Sequence, residues 1–396
     1  MEFELWWLSG IPIFFALGWL AARIDIKHLM KDSRALPNSY FRGLNFLLNE
    51  QPDKAIEAFI EVVKVDPATV ELHFALGSLF RRRGEYDRAI RMHQHLLDRA
   101  DLGAEQRAAA LYELGQDYLK AGILDRAEEV FQRLAGGVNG EPQAGEARRF
   151  LLEIFQQEKD WEKAIAMARR LESETGTARG REISHFLCEM AAIDASNSRP
   201  ESARAHLEAA LEASRKSVRA SIQLGDLARG AGNAESAIEH WKRVEQQNPA
   251  YLALVAQRVL DAHRDAGRLE DGLTLLAGYM ERYPSLGLLD AVFRATMEAR
   301  GAEAAYALVR DELRRNPTLL GLDRLLEAQI VAAANADRRR DLELVRNLVH
   351  GHTQRLARYR CESCGFKARQ FHWLCPGCGA WESYPPRRTE EFDLAP

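Results

Sequence analysis

Four of the five cysteines in this 396-residue chain stand in two Cys-x-x-Cys pairs near its C-terminus, Cys361-Glu-Ser-Cys364-Gly365 and Cys375-Pro-Gly-Cys378-Gly379. Two intervening residues let both thiolates of a pair turn toward one ion while the following backbone N–H groups point at the sulfurs. A glycine after the second cysteine accepts the tight turn this requires. Two such pairs facing each other make a tetrahedral four-sulfur site suited to zinc or to a single iron. Four cysteines fill such a site and leave no position for a substrate, so a catalytic metal is not expected. The competing chemistry is a pair of redox motifs or disulfides. A cysteine-poor chain with matched knuckle glycines instead reads as a metal binder in a reducing compartment. His372 lies close in sequence, but with four cysteines at hand it reads as a surface or packing residue. Cys188 stands alone in an apolar, helix-like run.

The elements that must carry this site are helical. From Leu76 to Leu97 the chain reads as one helix, a turn at Gly84 and a second helix, with Ala89 where the two would cross. Near-copies follow at Gly115, Gly122 and Ala127, and at Gly225, Gly232 and Ala237. Indexed by the small residue at the crossing, the units fall at Ala55, Ala89, Ala127, Ala164, Ala203, Ala237, Gly272 and Ala305, spaced 33 to 39 residues apart. A fixed period of this size marks a helical hairpin array, and it resembles the tetratricopeptide repeat. The fold expected is therefore an all-α superhelical solenoid of about eight hairpins over residues 39–317, with closing helices over 318–356. Tyr359, Phe371, Trp373 and Trp381 are expected to shield the four sulfurs and to pack them against the end of that array.

The first segment is different. Residues 5–22 carry no charge and include Trp6, Trp7 and Trp19 near the two ends. A helix of that length spans about 27 Å, enough for the hydrocarbon core of a bilayer, with indole rings at headgroup depth. Glu2 and Glu4 precede it where a signal peptide would be positive, and Arg23, Lys27, Lys31 and Arg34 follow it. Residues 1–22 are thus expected to form a transmembrane anchor and 23–38 a juxtamembrane connector. The basic flank places the N-terminus outside and the bulk of the chain in the cytoplasm.

Composition narrows the function classes. A net charge of −4 with 28% charged residues calls for no nucleic-acid partner. Arginines do gather at Arg338, Arg339, Arg340, Arg346, Arg355, Arg358 and Arg360. Without interleaved stacking aromatics they read as a solvated face or as attraction to an anionic membrane. No phosphate-binding loop, zinc-protease helix, nucleophile elbow or dinucleotide fingerprint is present, and the eleven histidines are scattered. No enzyme activity and no catalytic residue is expected. The alternative readings are a zinc ribbon binding nucleic acid and a rubredoxin-like electron carrier.

The half Cys375-Pro-Gly-Cys378-Gly379 resembles the second knuckle of a rubredoxin, in a shortened domain over residues 357–396. The whole order of anchor, repeats and four-cysteine knuckles resembles the lipopolysaccharide assembly protein B family of Gram-negative inner membranes. The resemblance is carried by the N-terminal span, by Asn45-Phe46-Leu47-Leu48, by residues 76–94, by Tyr359-Arg360-Cys361-x-x-Cys364-Gly365-Phe366 and by Trp373-x-Cys375-Pro376-x-Cys378. It implies a non-enzymatic adaptor that works with the membrane protease FtsH to promote degradation of the deacetylase LpxC. That activity would balance lipopolysaccharide against phospholipid synthesis. The resemblance further implies an inner-membrane regulator that senses lipopolysaccharide as a partner, and rubredoxin-type iron on Cys361, Cys364, Cys375 and Cys378, with zinc as the alternative. Direct binding of lipopolysaccharide is left open.

Overall fold

The computed structural model describes residues 38–49, 51–65, 70–136, 142–356, 358–388 and 390. The expected anchor and nearly all of the connector lie outside the described residues. No helix among the described residues is long and apolar enough to cross a membrane. The chain divides into two compact units, residues 1–154 and 155–396, with the division falling inside one helix.

The first unit contains α1 (Asn38–Leu48), α2 (Pro52–Val65), α3 (Val70–Arg82), α4 (Tyr86–Leu97), α5 (Ala104–Ala121), α6 (Leu124–Ala135) and most of α7 (Pro142–Glu158). The second holds the end of α7, then α8 (Trp161–Thr175), α9 (Gly180–Ser196), α10 (Pro200–Ala213), α11 (Val218–Gly230) and α12 (Ala234–Gln247). It continues with α13 (Leu252–Asp265), α14 (Leu269–Arg282), α15 (Leu286–Arg300), α16 (Ala302–Arg315), α17 (Leu319–Ala332) and α18 (Ala336–Leu356). Odd-numbered helices open the hairpins and even-numbered ones close them. A short antiparallel pair, β1 (Tyr359–Arg360) and β2 (Lys367–Ala368), completes the chain.

The recurring small residues have a concrete steric cause. Each repeat glycine in an opening helix faces a ring sixteen positions later in its closing helix. A Cβ on Gly43, Gly77, Gly115 or Gly225 would sit 2.5 Å from Phe59, 2.3 Å from His93, 2.6 Å from Phe131 and 2.3 Å from Trp241, respectively. Where the glycine is missing, the two positions of that spacing carry other residues, Leu152 with Ala168 and Phe293 with Val309, all of them buried. The turn between the helices needs a left-handed residue five positions before the crossing. Gly84, Gly122, Gly232 and Gly267 supply it, and in two glycine-poor repeats Lys159 (φ 59°) and Ser198 (φ 57°) adopt the same conformation.

This geometry separates two glycines sharply. Gly225→Ala is expected to cost about 1–3 kcal/mol, because the new methyl drives into the fully buried Trp241. Gly278→Ala, in α14 with open space around it, should stabilise by about 0.5–1 kcal/mol through helix propensity alone. Denaturant melts of both variants check the pair; equal effects would mean the ring position is not packed as described.

His93 occupies a ring position that is otherwise aromatic, and a buried imidazole must find partners. Its Nδ1 lies 2.5 Å from Asp117, and Arg81 reaches Asp117 at 2.7 Å and Glu113 at 2.6 Å. Burial works against the Arg81 charge, but Glu113 and Asp117 outweigh it and raise the pKa of the guanidinium. The cluster ties α3, α4 and α5 together. The Ser78 hydroxyl also reaches Glu113, at 3.4 Å. In the second unit a continuous core runs from Val218 to Ala295, through α11–α15.

Candidate metal centre

Both knuckles fold the same way. Gly365 N–H donates to Cys361 O and Cys361 N–H to Phe366 O, each at 2.9 Å. Gly379 N–H donates to Cys375 O and Cys375 N–H to Ala380 O, again at 2.9 Å. Gly365 (φ 76°) and Gly379 (φ 69°) take the left-handed conformation that closes each turn. β1 pairs with β2 across the first knuckle, and a Leu374–Trp381 bridge closes the second.

The four sulfurs all lie within 4.8 Å of one another. Cys361 and Cys378 are 3.8 Å apart and Cys364 and Cys375 are 3.7 Å apart. The edge of a tetrahedron with sulfur about 2.3 Å from its centre is about 3.8 Å, so these separations match a four-thiolate ion site. They are far beyond the roughly 2.05 Å of a disulfide, and all four cysteines are unbridged. Cys361 and Cys375 are buried; Cys364 and Cys378 are exposed.

The surrounding groups favour thiolate unevenly. Burial opposes ionisation of Cys361, yet the Ser383 hydroxyl and the N–H groups of Cys364 and Ser363 bring its thiol down to about 6. At Cys378 the Ala380 N–H favours the thiolate, but desolvation and the other three sulfurs push it up to about 12. Phe366 N–H serves Cys364, and Gly377 N–H reaches Cys375 at 3.4 Å. A divalent cation resolves the crowding of four sulfurs by replacing their protons, so the donor set fits a metal. Such an ion would hold the two knuckles together.

His372 does not join this group; its ring lies against Tyr384, which is fully buried and donates its hydroxyl to Phe366 O at 2.9 Å. Cys188 is buried in α9, far from any role as a ligand, and burial pushes its thiol up to about 12. The arginines of α18 are partly spent within the fold: Arg346 reaches Glu327 at 2.9 Å and Arg340 reaches Asp337 at 3.5 Å.

The expected docking against the end of the array is corrected by the structure. The knuckles lie across the opening helices of the middle hairpins. Trp381 stacks on His185 of α9 (4.6 Å, 11°) and donates its indole N–H to Gln156 of α7 at 3.1 Å. Trp373 stacks on Tyr251, just ahead of α13 (5.4 Å, 3°), with Phe371 edge-on to both. The guanidinium of Arg219, on α11, lies 5.9 Å and 5.8 Å from the rings of Trp373 and Trp381. Glu382 meets His185 at 3.2 Å and Arg181 at 3.5 Å. Desolvation works against the Glu382 charge, but His185 and Arg181 prevail and hold its carboxyl below the usual range. Beyond Tyr384 the chain continues to Glu390, whose carboxylate accepts from Leu319 N–H and, at 3.0 Å, from Leu320 N–H at the start of α17. The difference lies in the rings: Phe186 of α9 and Tyr251 ahead of α13 meet the two tryptophans, whereas α18 carries no Phe, Tyr or Trp.

Comparison with known proteins agrees with both parts. Residues 359–385 match a family described as a rubredoxin metal binding domain, and residues 42–92, 112–178 and 190–251 match the tetratricopeptide repeat. Lipopolysaccharide assembly protein B of Escherichia coli K12 is 33% identical over 380 residues, covering 96% of this chain and 97% of that protein. The protein of the same name from Haemophilus influenzae is 31% identical over 398 residues, covering 97% of this chain and 98% of its own. A match of this extent, running through the helical hairpins and into the four-cysteine knuckles, places the chain in the lipopolysaccharide assembly protein B family.

Proposed function

We propose that the chain is a membrane-tethered, non-enzymatic adaptor in lipopolysaccharide assembly, with Cys361, Cys364, Cys375 and Cys378 holding one structural metal ion. The observation that carries this reading is the end-to-end match to proteins named for lipopolysaccharide assembly, knuckles included. The fold supports it, since stacked hairpins are a recognition scaffold and the metal site has no position for a substrate. The ion is taken to be rubredoxin-type iron, with zinc the alternative; anaerobic purification with metal analysis and a visible spectrum separates them.

In its finer form the proposal is that the adaptor presents the deacetylase LpxC to an FtsH-type protease and is restrained by a regulator that senses lipopolysaccharide. Residues 1–22 would anchor it in the inner membrane with the bulk of the chain cytoplasmic. Confinement beside membrane partners raises their effective concentration without any new contact. A chain lacking residues 1–22 is therefore expected to fold and retain its metal, yet to leave the deacetylase level high in cells lacking the full-length protein. Normal turnover with that truncation, at matched expression, would remove tethering from the mechanism.

A further inference from the structure

A cavity of about 410 Å³ lies in the second unit between the starts of α15 and α17. Its floor is apolar, from Leu286 and Leu289, and its rim carries Arg315 and Arg387. Among the described residues neither guanidinium makes a salt bridge, though the Arg315 charge is among those that hold the Asp311 carboxyl low. The one acid in the lining, Glu312, is buried and already takes the Asn316 side-chain amide at 2.8 Å. Beside the cavity, Glu390 seats its carboxylate on the first N–H groups of α17, so the chain itself places an acidic side chain on this face. The exposed charges of the lining are the two arginines, so the cavity presents a cationic rim over an apolar floor.

We propose that this cavity receives an acidic, extended segment of a partner protein. A carboxylate of that segment pairs with Arg315 and Arg387, and an adjacent apolar side chain rests on Leu286 and Leu289. The geometry favours a peptide over a free anion, since an inorganic ion would leave the apolar floor in water. The proposal deepens the adaptor reading and rests on it only for the existence of a protein partner.

The test uses the full chain in detergent and a fluorescein-labelled Asp-Leu-Asp-Leu-Asp-Leu peptide, followed by anisotropy. Saturable binding that weakens with salt is expected, with affinity falling about tenfold in Arg315→Glu or Arg387→Glu, each of which exchanges attraction for repulsion. Arg170→Glu, on α8, should leave binding unchanged. The matching Lys-Leu peptide should not bind. Absence of saturable binding, equal binding of the lysine peptide, or full affinity in both rim variants would overturn the proposal. The same rim variants, expressed in cells lacking the protein, keep the two readings apart. Normal deacetylase turnover with an inert cavity defeats the cavity alone, whereas failure of the wild-type chain to change turnover defeats the adaptor reading.

Discussion

Replacing Cys364 or Cys378 with serine should release residues 359–385 from any fixed structure while the helical hairpins stay folded. The knuckles have almost nothing else to hold them. Their regular structure is two strands of two residues each, and their fully buried interior is little more than Cys361, Cys375 and Tyr384. Domains below about 40 residues seldom bury enough surface to fold without a metal or disulfides. Structural metals in comparably small modules supply on the order of 10 kcal/mol of apparent folding energy, which is more than docking alone would replace. Hydrogen exchange should show protection lost across residues 359–385 and kept in α11–α15, where the core is continuous. Metal analysis should show the ion gone. A serine variant that keeps both its ion and its protection would mean that the knuckles are held by something other than four-thiolate coordination.

The second large effect separates the metal from its docking. Trp373 and Trp381 turn from the knuckles to the helices, where their partners are His185, Phe186, Tyr251, Gln156 and Arg219. Each ring is half-buried, so truncation to alanine should cost about 2–4 kcal/mol of docking through lost area, stacking and, for Trp381, the hydrogen bond to Gln156. The double variant Trp373→Ala/Trp381→Ala should therefore keep its metal yet expose the opening helices to protease and to exchange. On the proposed function, the deacetylase should accumulate in cells that carry this variant. Retention of full adaptor activity by an undocked, metal-loaded chain would show that the knuckles act independently of the helices beneath them.

The parts legible in the sequence were those encoded by local spacing. Cysteines two apart followed by glycine dictate a knuckle whatever surrounds them. A glycine, an alanine twelve residues on and a ring four beyond that dictate a hairpin, because each pair packs within its own repeat. The docked position was not legible, since Trp381 finds Gln156 at a separation of 225 residues and no local rule links the two. His93 was partly legible: it stands where Phe59, Phe131 and Trp241 stand in other repeats, and a polar ring there signals a buried partner. That the partner is Asp117, from the next hairpin, needed the structure. Glu390 seated on α17 was likewise invisible, because its two acceptor bonds go to backbone amides some 70 residues away.

The most direct test of the account is the half-life of the deacetylase LpxC after protein synthesis is stopped, in cells lacking the chain and in the same cells supplied with it. The wild-type chain is expected to shorten that half-life severalfold, and the Trp373→Ala/Trp381→Ala and Cys378→Ser variants to leave it long. An unchanged half-life with the wild-type chain, under expression that restores its normal level, would contradict the central proposal, that the chain acts as an adaptor in lipopolysaccharide assembly by way of proteolysis.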